Sequence, residues 1–292
     1  MDTTIGFSID RLFELIQWGA LENPGEARAR ERFSKLRDYF QKLLGKKLFE
    51  KIAGSEQVRV VDVMGGTGIA GVAFLAAHRA LRGGKGEYKL TVVDARRKAL
   101  GYASRWLSHA GLQGVEISTI TGDARRLPEL LGGEKYDVAL VWGSSLPHVD
   151  VPGIILLLAG LRESIAEKGV ALIEQHDLLP RLLFANNYKD VLLEGEAITM
   201  HRGYDPRTGS IERVVYDART MLYQGIMRTR IWEMSTIAGY AWLFFKRVYR
   251  DHYLEQTGGG RAATVVIASE PRSNTPSWEE LWGSLDEYYK PI

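Results

Sequence analysis

Apolar positions along this chain change period twice, and the changes divide it. Over residues 8–21 they recur at helical spacing: Ser8 can cap, and Ile9, Leu12, Phe13, Leu15, Ile16 and Trp18 make one broad face. Asn23-Pro24-Gly25 ends that helix. A second helical pattern spans residues 26–52, bent near Gly45, with Phe33, Leu36, Tyr39, Phe40, Leu43, Leu44, Leu48 and Phe49 in phase. From Val58 short β-branched runs alternate with helical stretches. Strands are expected near residues 58–63, 88–93, 115–120, 136–142 and 170–174, and helices over 69–81, 96–110, 124–131 and 151–166. Regular strand–helix alternation predicts a mostly parallel sheet with helices on both faces.

The later pattern differs. Residues 197–232 predict two strands around a Pro/Gly turn at Pro206 and Gly209, and a third from Tyr223. After a short irregular connection containing Gly239, residues 242–249 and 263–269 predict an antiparallel hairpin joined through Gly258-Gly259-Gly260. Ser277-Trp278-Glu279-Glu280 is a capping box, and Trp278, Leu281, Trp282 and Leu285 then share a face that must dock on the body or on a second copy of the chain.

Composition narrows the class. With 38 basic against 36 acidic residues no overall field favours nucleic acid or a membrane surface. Arg28, Arg30, Arg32, Lys35 and Arg37 are interleaved with Glu26, Glu31 and Asp38, the pattern of a solvated helix face. Absence of cysteine excludes disulfides, a thiolate nucleophile and a cysteine zinc site. No basic leader with an apolar run opens the sequence, and no apolar stretch reaches spanning length, so a cytoplasmic protein is expected.

Candidate chemistry centres on residues 60–71, VVDVMGGTGIAG. A strand ending in Asp62 runs into Gly65, Gly66, Gly68 and Gly71, a turn that brings ligand and helix N-terminus together. Gly66, Gly68 and Gly71 also satisfy the G-x-G-x-x-G pattern of NAD sites. A carboxylate just ahead of the glycines suits a sulfonium and an ammonium better than a pyrophosphate. The stretch resembles motif I of the class I S-adenosylmethionine-dependent methyltransferases, with Met64 where the first glycine of that motif usually stands.

That resemblance implies the remaining site. Asp62, Gly65, Gly66, Thr67 and Gly68 would form the cofactor turn, and Asp94, followed by Ala95, would take the ribose hydroxyls. Asp123 and the Ala124 N–H would meet adenine, with Trp142, Gly143 and Ser144 beside them. NAD proteins place a ribose carboxylate like Asp94 too, and either aspartate can also cap the helix after it. Residues 143–148, GSSLPH, resemble the G-N-S-x-x-H stretch of glycine and sarcosine N-methyltransferases, with Ser144 replacing the asparagine. His148 is a candidate base or loop organiser, and Gln175-His176-Asp177 can line the pocket mouth. Arg202, Tyr204, Arg213 and Tyr216 are candidate side chains of a β-insert roofing the pocket, and Tyr39 of a helical cover.

The expectation is an α/β protein: a seven-stranded, mostly parallel Rossmann-like methyltransferase sheet with helices on both faces. A helical N-terminal cap (1–57) precedes the cofactor-binding core (58–196), an antiparallel β-insert (197–234), and a closing hairpin with a C-terminal helix (235–292). The reaction expected from the resemblance is transfer of methyl from S-adenosyl-L-methionine to nitrogen or oxygen of a small molecule, yielding S-adenosyl-L-homocysteine, with no metal. Methylation of RNA or protein, or a non-catalytic cofactor-binding subunit, are the alternatives.

Overall fold

A computed structural model describes residues 4–5, 9–177, 179, 188–253 and 263–289. Ser8 and the glycine loop 258–260 lie outside these. The strands, in chain order, are β1 Thr4–Ile5, β2 Gln57–Val63, β3 Glu87–Asp94, β4 Glu116–Thr121, β5 Tyr136–Val141, β6 Ile165–His176, β7 Val191–Glu194, β8 Ala197–Asp205, β9 Ser210–Asp217, β10 Tyr223–Thr229, β11 Phe245–His252 and β12 Ala263–Pro271.

Seven of them form one sheet in the order β11-β12-β6-β5-β2-β3-β4, parallel except where β12 runs antiparallel to β6 and β11. Side chains alternate across it, so each central strand feeds two cores. Val58, Val60, Leu90, Val92, Val138 and Leu140 pack under the helices Ala27–Leu44 and Ile69–Leu81. Val61, Val63, Val93, Ala139 and Val141 pack under Val151–Ser164 and Met234–Phe244 on the opposite face. At about 1.5–3 kcal/mol per buried aliphatic side chain, this two-sided burial is what holds the sheet. The remaining strands form a second sheet, β1-β10-β9-β8-β7, antiparallel throughout.

Several elements depart from the expected ones. The first helix stops at Leu15 and a second short one, Gly19–Glu22, follows, because Gln17 adopts φ +56°. The segment after β3 breaks at Gly101-Tyr102 into Arg97–Leu100 and Ala103–His109. The connection containing Gly239 is the regular helix Met234–Phe244, so β11 begins at Phe245 rather than Trp242. The capping box forms: the Ser277 hydroxyl accepts from the Glu280 N–H at 3.2 Å and the Glu280 carboxylate from the Ser277 N–H at 2.7 Å. It seats Trp278, Leu281, Trp282 and Leu285 against the second core.

Candidate active site

The glycine turn is shaped by Asp62 from behind. Asp62 is fully buried at the end of β2, and Oδ2 accepts the Gly71 N–H at 2.8 Å, tying the strand to the first turn of Ile69–Leu81. Oδ1 has no partner. Burial pushes the carboxyl up, against the Gly71 N–H, and with repulsion from Asp94 it reaches about 7. Gly65 is packed so closely that a Cβ would stand 2.5 Å from Asp62 Cγ. Met64 takes φ +55°, the left-handed conformation a glycine would adopt freely. We expect Met64→Gly to change unfolding free energy by no more than about 1 kcal/mol, while Met64→Val, β-branched in the same conformation, costs at least about 2 kcal/mol by urea denaturation.

Above the turn lies a cavity of about 520 Å³ at the carboxyl ends of β2–β5. Open α/β sheets bind ligands there, where strand order reverses, here between β5 and β2. Gly65, Asp94, Ala95, Asp123, Ala124, Trp142, Gly143 and Ser144 line it, whereas Asp62, Gly66, Thr67 and Gly68 stand behind the wall. Thr67 instead accepts the Trp106 indole N–H at 3.1 Å, and Gly68, at φ +75°, starts the helix.

Both aspartates are held by hydrogen bonds. Asp94 Oδ2 accepts the Gly66 N–H at 2.7 Å, while Oδ1 accepts the Arg96 N–H at 2.7 Å and Nε–H at 3.1 Å. Asp123 caps the turn Ala124–Arg126 and accepts a fork from Arg125. Burial raises its carboxyl, but the Arg125 hydrogen bonds and charge outweigh that and hold it below the usual range. At the end of β6 the Glu174 carboxylate accepts the N–H groups of Gly143 and Ser144 at 2.8 and 3.0 Å, shaping a loop in which Ser144 has φ +56°.

His148 lines the cavity 5.8 Å from Phe13, ring to ring, and its Nδ1 has no partner. Burial, with the nearby Arg96 charge, lowers it to about 4, so the imidazole is neutral at physiological pH. Such a group accepts hydrogen bonds but holds an abstracted proton poorly.

Sequence reasoning expected a helical N-terminal cap but not the side chains by which it reaches the cavity. Ile9, Asp10, Phe13, Trp18, Glu22 and Arg32 all line the cavity. Arg32 donates to the Leu21 carbonyl at 3.2 Å and closes no ion pair among the described residues. Its helical phase could have marked it: it lies between buried Ala29 and Leu36 and beside buried Phe33.

Arg202 and Tyr204 are not brought to the cavity. Arg202 sits within a register shift in β8 between His201 and Gly203, and Tyr204 follows it; Arg202 faces Glu212 at 3.5 Å and Tyr204 is 62 % exposed. Tyr216 meets Tyr223 across the second sheet. Arg213 is buried, but Thr199, Tyr188 and the Lys189 and Asp190 carbonyls take its donors. Tyr39 packs against Trp142 and Tyr253 and bonds Asp251 at 3.2 Å, outside the cavity lining.

No protein-family profile matches the chain, and no curated protein matches it in sequence. Solved structures do share its fold. The CcbJ methyltransferase of Streptomyces caelestis aligns over 92% of this chain and 99% of its own at TM-score 0.56 and 16% identity. An S-adenosylmethionine-dependent methyltransferase of Clostridium acetobutylicum aligns over 81% and 92% at TM-score 0.54 and 13% identity. The sugar N-methyltransferase KedS8 of a Streptoalloteichus species aligns over 91% and 96% at TM-score 0.52 and 12% identity. The architecture is thus the Rossmann-like methyltransferase fold, with an added antiparallel sheet.

Proposed function

We propose that the chain is an S-adenosyl-L-methionine-dependent methyltransferase that methylates a nitrogen or oxygen of a small molecule. The observation that carries this is the convergence on one cavity of two strand-end carboxylates, Asp94 and Asp123, with a cationic side chain, Arg32, in a fold shared with methyltransferases. The donor set suits the cofactor. Asp94 Oδ2 bonds one N–H and keeps a lone pair for a ribose hydroxyl. Asp123 stands at the end of β4 for the adenine amino group, and Arg32 supplies the charge for an amino-acid carboxylate.

The bound cofactor would supply an electrophilic methyl group on a sulfonium. The chain's own part is to position and to exclude water: Phe13, Trp18, Val149 and Leu157 give the cavity apolar walls. Neutral His148 can accept a hydrogen bond from an acceptor N–H or O–H. The similarity of residues 143–148 to small amine methyltransferases and the sugar N-methyltransferase neighbour support a small acceptor.

Calorimetric titration with S-adenosylhomocysteine and, separately, NAD tests the proposal. One-site binding of S-adenosylhomocysteine alone is expected, weakened at least about tenfold in Asp94→Ala, the loss of one charged hydrogen bond; Asp94→Asn, which still accepts the Gly66 N–H, controls for folding. Binding of NAD alone would overturn it. Arg32→Met should weaken S-adenosylhomocysteine by about 10- to 100-fold while leaving 5′-methylthioadenosine, which lacks the amino-acid end, nearly unchanged.

A further inference from the structure

One guanidinium joins the N-terminal segment to the carboxylate at the end of β3. On the core side Arg96 Nε donates to Asp94 Oδ1 at 3.1 Å. On the other side Nη1 and Nη2 donate to the two oxygens of Glu22 at 3.0 and 3.1 Å. Phe13 lies over the planar group, 4.0 Å from Cζ to ring centroid. The side chain is only 8 % exposed. Gly66 makes room for it, since a Cβ there would meet Nη2 at 2.3 Å. The backbone of the same segment is fixed from the core too, because the Trp106 indole donates to the Glu22 carbonyl at 2.8 Å.

We propose that Arg96 is a positioning residue for the ligand of this cavity, a clasp that closes residues 9–22 over it and fixes the Asp94 carboxylate. The identity of that ligand rests on the reading above. Whatever fills the cavity lies between Asp94 and Gly65 on one side and Phe13, Trp18 and Glu22 on the other. Closure of the segment and occupancy are therefore linked, and the linkage is reciprocal: the ligand protects the segment by the factor by which closure raises affinity. Two carboxylates share one cation, and a flat fork with donors on separate edges can serve both at once. A lysine ammonium offers a single point and no plane for Phe13.

Backbone hydrogen exchange over residues 9–22, with and without S-adenosylhomocysteine, together with its titration, tests this in wild type, Arg96→Met, Arg96→Lys and Glu22→Gln. Without ligand, both Arg96→Met and Glu22→Gln should exchange faster over 9–22 while residues 69–81 stay protected, which marks an intact core. With ligand, wild type should gain protection over 9–22 and both variants should bind at least tenfold more weakly; Arg96→Lys should recover only part of the affinity. Equal or tighter binding by Arg96→Met would show the guanidinium to be a competitor of the ligand and would overturn the proposal. So would unchanged exchange over 9–22 in both variants. If wild type binds no S-adenosylhomocysteine, the proposed function falls, while the ligand-free exchange still decides the clasp.

Discussion

Trp106→Ala is expected to lower the unfolding free energy by about 3–5 kcal/mol, the range for truncating a fully buried tryptophan. Trp106 is 0 % exposed and stacks on Phe33 with centroids 5.2 Å apart and planes 14° from parallel. His109 meets it edge-on at 5.4 Å. The indole N–H is shared between the Glu22 carbonyl at 2.8 Å and Thr67 Oγ1 at 3.1 Å. One side chain thus joins the helix Ala27–Leu44, the segment ending at Glu22 and the glycine turn. Trp106→Phe separates the two contributions, since it keeps most of the stack and removes only the donor, leaving the Glu22 carbonyl and the Thr67 hydroxyl without it. That variant should cost about 1–3 kcal/mol. Urea denaturation of both variants measures the difference. Equal losses would mean that the hydrogen bonds carry the effect and the packing does not.

The large sheet was legible because its central strands are short β-branched runs closed by glycine or aspartate, and burial on both faces leaves few other readings. Asp94 and Asp123 were legible from their places: Asp94 is the polar residue that ends an apolar strand, and Asp123 follows the last residue of β4 by two, at the carboxyl ends where open α/β sheets bind ligands. The helix Met234–Phe244 was hidden. Its buried positions, Met234, Ile237, Ala241 and Phe244, keep helical phase, but Trp242 and Leu243 are 59 % and 51 % exposed and erase the contrast between its faces. Reading a strand from Trp242 followed from those two exposed side chains. Glu22 and Arg96 are 74 positions apart, and their pairing is a product of the tertiary fold that no local pattern announces. Arg202 and Tyr204 fail differently, because a single irregularity in strand register resets which side chains face which way.

Asp62 gives the second large effect, and it is a dependence on pH. Burial raises its carboxyl from 3.8 to about 7. Below pH 4 folded and unfolded chains both hold the proton and the group contributes nothing. Between about pH 4 and 7 the folded chain holds a proton that the unfolded chain has released, so stability falls as pH rises, by up to about 1.4 kcal/mol per pH unit. Above pH 7 both are ionised and the penalty is constant. Asp62→Asn keeps an acceptor for the Gly71 N–H and carries no charge, so it escapes the penalty. Relative to wild type it should gain about 2–3 kcal/mol between pH 5 and pH 8. Urea denaturation at the two pH values measures that gain directly. Parallel stability profiles would show that Asp62 is already ionised at pH 5 in the folded chain, and that the buried carboxylate is stabilised by more than the single Gly71 N–H.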